Sequence, residues 1–536
     1  MSPVPRPRSP DRTVHGTRGA VATSHPLAAE AGIHLLREGG TAADAAVGMA
    51  AALTVVEPTS NGIGGDAFAL VWAEGGLHGL HGCGRSPRKL TLEAARAAAG
   101  PGEPPAFPVR GWLPVTVPGA PAAWRDLNRR FGRLPLARVL DPAVRLAEGG
   151  HPVAPLVAYY WKKSVERMEG RRDLELAGWA ATFLPAGRAP AAGEIVRLPD
   201  HARTLLRIGA SGAESFYGGD LARRVDAFSR ETGGLLRAED LAAHRGEWAD
   251  PVSARFHGVE LWELRPPGQG IVALSALAVL DGLPPGEDWD DPRGVHEAIE
   301  AVKLAFADAG AHLADPHSMR VPPAAFLERG YLARRREAIG ERAEARESGI
   351  PDRGGTVYLA AADGDGMMVS FIQSNYMGFG SMVVVPGTGI ALQNRGAGFR
   401  LDPAHPNAAG PGKVPFHTII PGFLTREGKP WGPVGVMGGH MQPQGHVQVT
   451  RGLVDHGLTP RSALDLPRWC WSGGNGVEVE EGWPEATVAA LRDRGHEVSV
   501  AGSPGVFGRG QVILRTEAGT LAAATDVRAD GLAIAF

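Results

Sequence analysis

The chain has 536 residues, of which 43% are hydrophobic, and a formal net charge of −3. This length suits two lobes or one large core, and the near-neutral charge argues against nucleic acid or an anionic membrane as a partner. The two cysteines make neither a disulfide framework nor a zinc site. We expect a cytoplasmic protein, because the sequence contains no signal-peptide pattern and no apolar run that could span a membrane.

The predicted elements begin after an N-terminal arm. Residues 1–15 open with a Pro- and Arg-rich run and are expected to be disordered. Pro26 suits the first position of a helix that Gly39 and Gly40 would end. An alanine-rich helix should follow as far as Val56, and its small side chains favour a buried, closely packed position.

A glycine loop at 61–66 then leads into a strand predicted for 67–72. Extended to Ala67, the loop superficially fits the G-x-G-x-x-A dinucleotide fingerprint. That fingerprint needs a strand before it and a helix after it, and here the order is reversed. We interpret the loop instead as backbone that can approach a pocket closely.

The middle of the chain is predicted to be mainly helical. Helical patterns occupy 120–130, 136–148, 220–232, 271–280 and 296–313, and strands are expected at 113–119 and 259–264. From 334 to 353 the chain is mostly charged, so it is either a solvated helix or an exposed, mobile segment. Either alternative places a loosely held stretch directly before Gly354 and Gly355.

A β-hairpin is predicted from Thr356 onward. One apolar run starts at Thr356, an Asp/Gly turn follows at 363–366, and a second apolar run covers 367–373. The hairpin alone assigns no chemistry to Thr356, because a β-branched residue commonly opens a strand.

A second feature of this half is a glycine pair. A strand pattern at 434–437 ends in Gly438 and Gly439, shortly before a helical pattern at 446–456. Backbone N–H groups are free at a helix N-terminus, so the pair suits an anion or an oxyanion.

Other common active-site patterns are missing from the sequence. It contains no G-x-S-x-G pentapeptide, no P-loop and no H-E-x-x-H zinc motif. His78 with His81, and His440 with His446, could be proposed as metal ligands, but neither pair has a cluster of carboxylates beside it. We interpret His78 and His81 as loop or surface residues, and we expect neither a metal nor another cofactor.

Several motifs together resemble those of the γ-glutamyltransferase (γ-glutamyltranspeptidase) family. Over residues 16 to 530 they follow in order as Ala-Val-Ala-Thr-Ser-His-Pro-Leu-Ala at 20–28, Gly-Gly-Thr-Ala-Ala-Asp-Ala-Ala-Val at 39–47, Val-Glu-Pro at 56–58, Gly-Ile-Gly-Gly at 62–65, Val-Pro-Gly at 117–119, Leu-Ala-Phe-Ala-Asp at 304–308, Phe-Gly-Ser at 379–381 and Pro-Gly-Thr-Gly-Ile at 386–390. The likeness is greatest to the amidohydrolase and acylase branch, which carries Thr-Val-Tyr, Gln-Asn-Arg-Gly and Met-Gln-Pro-Gln-Gly-His as this chain does.

The resemblance implies an α+β protein with the αββα sandwich of the N-terminal-nucleophile hydrolases. Such a precursor cuts itself before a threonine, which here implies cleavage between Gly355 and Thr356. The products would be a large subunit, 16–355 after the arm, and a small subunit, 356–536, which stay associated.

The resemblance also implies roles for individual residues. Thr356 corresponds to the nucleophile, Ser374 to a second hydroxyl beside it, and Gly438 with Gly439 to the oxyanion hole. Elementary chemistry agrees, since a threonine hydroxyl needs a nearby base. Cleavage would create an α-amine on Thr356 itself, with a pKa of about 7.7–8.0.

Substrate recognition departs from the family pattern. The family's acidic residues for an α-amino group are replaced by Ala397 and Gly398, and its paired serines by His417 and Thr418. Arg85 is displaced by about two positions from the family's carboxylate-binding arginine. The expected substrate-binding residues are Arg85, Asn394, Arg395, His417 and Thr418.

Three hypotheses remain open from the sequence. The first is a self-processing amidohydrolase or acyltransferase that cleaves γ-glutamyl or similar small amides. The second is an acylase or oxamate-type amidohydrolase without γ-glutamyl activity. The third is an unprocessed, non-catalytic homologue. The first two expect a small-molecule amide as the partner, with neither nucleic acid nor a membrane involved.

Overall fold

A computed structural model describes residues 11–99, 106–168, 173–346, 355–501 and 505–536. The predicted arm at 1–15 is wrong at its end, because Val14 and His15 form a strand that pairs with Ala522 and Ala523. Its first ten residues lie outside the described ranges, as do Gly354 and residues 347–353 at the end of the charged stretch.

The strands in chain order are β1 Val14–Gly16, β2 Gly19–Thr23, β3 Asp66–Ala73, β4 Gly76–Gly82, β5 His151–Pro152, β6 Ile195–Val196, β7 Glu247–Ala249, β8 Val252–Phe256, β9 Val259–Glu263, β10 Gly355–Asp363, β11 Met368–Tyr376, β12 Val384–Val385, β13 Ile390–Ala391, β14 Gly422–Arg426, β15 Lys429–Met437, β16 Trp469–Gly473, β17 Gly476–Val479, β18 Glu497–Val500, β19 Arg509–Arg515, β20 Leu521–Thr525 and β21 Leu532–Ala535. Two sheets of seven strands dominate, in the orders β21-β2-β10-β11-β3-β4-β7 and β1-β20-β19-β15-β14-β9-β8.

The helices in chain order are α1 Pro26–Arg37, α2 Ala42–Val56, α3 Leu92–Ala97, α4 Ala120–Phe131, α5 Leu136–Gly149, α6 Pro155–Glu166, α7 Ala177–Phe183, α8 Pro199–Ser211, α9 Glu214–Tyr217, α10 Asp220–Glu231, α11 Ala238–Ala242, α12 Gly270–Leu280, α13 Pro292–His312, α14 Arg329–Glu337, α15 Met441–Val454, α16 Pro460–Asp465 and α17 Glu485–Asp493. Within the described residues, no helix combines the length and the apolar character needed to cross a membrane.

The elements stack in four layers. Helices α1 and α2 cover the outer face of the sheet that contains β10, and α12 and α15 cover the outer face of the sheet that contains β15. The two inner faces pack on each other through β10, β15 and β19. This arrangement confirms the predicted α+β fold with an αββα sandwich.

Local sequence signals account for the first helical layer. The Thr41 side chain accepts a hydrogen bond from the Asp44 N–H, and the Asp44 carboxylate accepts one from the Thr41 N–H, so α2 starts with a capping box. Every residue of α2 is buried. Gly48 allows this closeness, because a Cβ there would lie 2.2 Å from the Leu35 side chain of α1. The prediction of a closely packed helix is confirmed.

Two predictions for this half are wrong. Residues 113–119 form a loop, since Val115 and Val117 hydrogen-bond to loop carbonyls at Trp112 and Arg85. His78 and His81 lie in β4 rather than in a turn, and His81 packs against Phe68 in the core. Glycines at 76, 79 and 82 suggest a turn. Gly79 instead allows the strand to pack against Leu264, because a Cβ at position 79 would lie 2.5 Å from the Leu264 side chain.

Tyr358 joins the two inner faces close to the start of β10. A Cβ on Gly435 would lie 2.4 Å from the Tyr358 ring, so the ring occupies the space above a glycine of β15. We expect Gly435→Ala to lower the free energy of unfolding by about 1–3 kcal/mol through overpacking. Urea denaturation should show the loss, and a Tyr358→Leu background should reduce it. Additive effects in the double variant would contradict this contact.

Candidate active site

The start of β10 is irregular at Thr356. Gly355 pairs with Tyr376 and Val357 pairs with Gln373, so Thr356 faces two residues of β11. This one-against-two pattern is a β-bulge, a feature common beside active sites. Tyr376 adopts a φ of 75°, which is uncommon for a side chain of its size. The bulge therefore changes the direction of the Thr356 side chain relative to a regular strand.

Two hydroxyl groups connect Thr356 to the peptide bond before it. Thr356 Oγ1 donates to Ser374 Oγ at 3.2 Å, and Ser374 Oγ donates to the Gly355 carbonyl at 2.7 Å. The Tyr376 N–H donates to Ser374 Oγ at 2.7 Å. Both hydroxyls are buried. Ser374 thus orients the Thr356 hydroxyl and polarises the carbonyl that precedes it.

A polar row continues from Ser374 along the end of the sheet. Ser374 is directly opposite Asp66 of β3, so their side chains share the inner face. Asp66 Oδ2 lies 3.1 Å from His417 Nε2 and 3.9 Å from Arg395 Nε, and Asp66 Oδ1 accepts from the Gly119 N–H. The predicted residues His417 and Arg395 therefore meet beside Ser374.

Burial controls the protonation of this row. It raises the pKa of Asp66 to about 7, although the Arg395 charge acts in the opposite direction. It lowers the pKa of Arg395 to about 10, against the effect of Asp66. Burial and the Arg395 charge hold the pKa of His417 well below its usual range, so His417 is neutral.

The Arg395 guanidinium makes few contacts with polar groups. Its Nη1 donates to Thr418 Oγ1 at 2.8 Å, and its guanidinium lies 4.3 Å from the centre of the Tyr376 ring. The side chain is 1% exposed. Among the described residues, Nε and Nη2 have no hydrogen-bond partner.

The glycine pair forms the turn between β15 and α15. Gly438 and Gly439 have φ values of 135° and 60°, both in the region that favours glycine. Gln269 Nε2 donates to the Gly439 carbonyl at 2.8 Å and to the Thr418 carbonyl at 2.6 Å. Gln269 therefore links the glycine turn to the residues around Arg395.

Two other predicted residues have different surroundings. Asn394 accepts from the Met377 N–H through Oδ1 and donates to the Val109 carbonyl, so both ends of its amide hold loops. Arg85 follows β4, which β11 and β3 separate from β10. It donates to Asp315 and lines a cavity of about 350 Å³ whose lining includes Cys83 but not Thr356.

Three residues of the site have no counterpart in the sequence predictions: Asp66, Gln269 and Tyr376. Asp66 ends the glycine loop at 61–66 that the sequence singles out, but only the fold reveals the partners of Asp66 and Gln269. The bulge that sets the Tyr376 backbone likewise depends on strand register.

One cluster has the composition of a metal site. His296, Glu300 and His496 place ligand atoms within 4.8 Å of one another. However, Lys303 Nζ donates to Glu300 at 2.6 Å, and the two histidines bond to each other at 2.9 Å. Lys303 also donates to the Glu344 carbonyl, and His296 contacts the Gly340 carbonyl. The cluster therefore anchors the segment that leads toward β10.

Comparisons with known proteins agree with this geometry. The family model described as gamma-glutamyltranspeptidase matches residues 28–536. A glutathione hydrolase-like proenzyme (YwrD) of Bacillus subtilis is 35% identical over 98% of this chain and 99% of its own length. An oxamate amidohydrolase proenzyme of Klebsiella pneumoniae is 36% identical over 97% of this chain and 99% of its own. A crystal structure of cephalosporin acylase from Bacillus halodurans superposes with a TM-score of 0.95 and 51% identity, covering 100% and 99% of the two chains.

Proposed function

Because this chain belongs to the gamma-glutamyltranspeptidase family, we propose that it cuts itself before Thr356 and then hydrolyses small amides through an acyl-threonine intermediate. It is an amide-bond hydrolase, as its named relatives are. The observation that carries the role of Thr356 is the pair of hydrogen bonds from Thr356 to Ser374 and from Ser374 to the Gly355 carbonyl.

Self-cleavage would begin at that carbonyl. Thr356 Oγ1 attacks the carbonyl carbon of Gly355, while the Ser374 hydroxyl stabilises the developing negative charge on its oxygen. The C–N bond breaks and the acyl group passes to Oγ1, and the amide nitrogen takes up a proton to become the α-amine of Thr356. Water then hydrolyses the ester, which releases a carboxylate on Gly355 and restores the Thr356 hydroxyl.

The same threonine would act on the substrate. With a pKa of about 7.7–8.0, about a tenth of the new α-amine is neutral at pH 7 and can accept the hydroxyl proton. Thr356 Oγ1 attacks the substrate carbonyl, the amine product leaves with that proton, and water hydrolyses the acyl ester. The N–H groups of Gly438 and Gly439 would stabilise the oxyanion, at about 3 kcal/mol for each donor.

The substrate proposed is a small amide other than a γ-glutamyl compound. An α-amino group would find no carboxylate at Ala397 and Gly398, the positions that carry acidic residues in the wider family. The relatives named oxamate amidohydrolase and acylase support this choice, and one acylase proenzyme of Pseudomonas is 34% identical. Water is the acyl acceptor in this proposal.

Intact-mass analysis of the purified protein tests the processing. Two chains are expected, and the smaller should begin with Thr356. A parallel assay should compare ammonia release from oxamate with hydrolysis of a γ-glutamyl anilide. A chain that stays whole and inactive would contradict the catalytic proposal, and a strong preference for the anilide would contradict the proposed substrate.

A further inference from the structure

We propose that Glu57 and Arg509 form a positioning pair for self-cleavage, which holds the turn at 57–60 against the peptide bond before Thr356. This inference rests on the proposed function and adds two residues that act through the backbone of the site, without touching the reacting atoms. The pair spans the two products of cleavage, because Glu57 would belong to the large subunit and Arg509 to the small one.

The carboxylate of Glu57 is buried, and both of its oxygens accept hydrogen bonds. Oε1 accepts from Arg509 Nη1 at 3.0 Å, and Oε2 accepts from Ser24 Oγ at 2.6 Å. The Arg509 guanidinium also lies 5.7 Å from the centre of the Tyr160 ring. Removing one partner of a buried ion pair leaves an uncompensated charge away from water, so the two groups resist separation. The pair therefore fixes the distance between the elements that carry it.

The turn that Glu57 begins lies directly against the cleavage site. The Ser60 N–H donates to the Glu57 carbonyl at 3.2 Å, which closes the turn. A Cβ on Gly355 would lie 3.2 Å from both the Thr59 carbonyl oxygen and the Ser60 Cα. The turn at 57–60 therefore supports the residue whose carbonyl is attacked.

The same turn holds the strand that carries Ser374. The Ser60 carbonyl accepts from the Asn375 N–H at 3.3 Å. Asn375 stands between Ser374 and Tyr376 in β11, and the Tyr376 N–H donates to Ser374 Oγ. The turn thus supports both groups whose alignment self-cleavage needs, the attacked carbonyl and the hydroxyl that polarises it.

Arg509 connects the pair to the strand that leads into the glycine turn. It opens β19 opposite Met437, the last residue of β15. Its neighbour Gly508 packs on the glycine turn, because a Cβ on Gly438 would lie 3.0 Å from the Gly508 Cα. The turn at 57–60 is therefore tied to the sheet that contains β15, and loss of either charge should shift the support of the cleavage site.

Glu57→Gln and Arg509→Met each remove one charge of the pair. Both should slow conversion of purified precursor into two chains by about 10- to 100-fold, because a misplacement of about 1 Å can cost about 10²-fold in rate. Arg509→Lys keeps the positive charge and should recover part of the rate, as measured by gel densitometry. Amide hydrolysis per processed molecule should fall less, because the bond that the turn supports has then been cut.

Arg461→Met is the matched control for loss of a buried charge. Arg461 pairs with Asp465 at 2.7 Å within α16. Their side chains are 11% and 2% exposed, as are those of Arg509 and Glu57. This variant should cleave near the wild-type rate. A loss as large as that of Arg509→Met would overturn the inference, since burial alone would then explain it.

A double variant separates positioning from stability. Glu57→Leu combined with Arg509→Met leaves no unpaired charge, and apolar replacement of a buried ion pair is often neutral for stability. We expect the double variant to keep a melting temperature close to that of the wild type and still to cleave slowly. Cleavage at the wild-type rate would contradict the positioning role.

Hydrogen exchange distinguishes failure of this inference from failure of the proposed function. In a Thr356→Ala background, which should not cut itself, Glu57→Gln should speed exchange of the Asn375 N–H by about tenfold, because the turn that accepts this bond loses its support. Arg461→Met in the same background should not. Unchanged exchange in Glu57→Gln would refute the pair as a support of the turn, whether or not the wild-type protein is processed.

Discussion

Thr356→Ala is expected to yield a single chain near 56.2 kDa that hydrolyses no amide above background. The wild-type protein should instead give chains of 355 and 181 residues, about 37 and 19 kDa in proportion to their lengths. Alanine removes the hydroxyl that bonds to Ser374 and would attack the Gly355 carbonyl. It also prevents formation of the free α-amine, so nucleophile and base are lost together. A denaturing gel and intact mass measure the first effect, and ammonia release measures the second.

Thr356→Ser provides the control for this variant. It keeps a hydroxyl in the same bulge, so both cleavage and hydrolysis should persist at reduced rates. Thr356 is buried, so removal of its methyl group leaves a cavity of one methyl, which should cost about 1 kcal/mol of unfolding free energy and retain the fold. If Thr356→Ala is still cut between Gly355 and Thr356, another residue must be the nucleophile.

Much of the fold could be predicted because its signals are local. Pro26 and the capping residue Thr41 mark the starts of α1 and α2, and the turn at 363–366 marks the centre of the β10–β11 hairpin. The failures have a common cause. Residues 113–119 look like a strand but have no partner strand among the described residues. The glycines of β4 suggest a turn, but Gly79 is there because it packs against Leu264. Neither condition can be read from neighbouring residues alone.

In the candidate site, too, some residues can be predicted from local motifs, whereas the contacts of others depend on the fold. Thr356, Ser374 and the glycine pair are predicted from motif spacing and family resemblance, and the structure shows a hydrogen bond between Thr356 and Ser374. The roles of all four residues stay predictions. The partners of Arg395 could not be predicted, since Asp66 is 329 positions and Tyr376 19 positions away in the sequence numbering. Arg85 follows β4, which lies three strands from β10 in the sheet, and its substrate-binding role stays a prediction.

Ser374→Ala should slow self-cleavage by about 10²- to 10³-fold, the range found when one oxyanion donor is removed. The Ser374 hydroxyl donates to the Gly355 carbonyl and accepts from the Thr356 hydroxyl, so its loss removes both polarisation and alignment. Purified precursor incubated at neutral pH should convert to two chains over a measurably longer time. Gel densitometry gives the rate constant.

Ser370→Ala separates this chemistry from stability. Ser370 is also buried on β11, but its hydroxyl bonds to the Tyr358 hydroxyl at 2.8 Å rather than to the cleavage site. Its loss should cost about 1 kcal/mol of unfolding free energy and leave the cleavage rate nearly unchanged. If Ser370→Ala and Ser374→Ala slow cleavage equally, Ser374 acts only through packing.

If Ser374→Ala instead cleaves at the wild-type rate, the hydrogen bond from Ser374 to the Gly355 carbonyl has no role in processing. Cleavage removes that carbonyl from the site, so amide hydrolysis per processed molecule should fall less than the rate of processing.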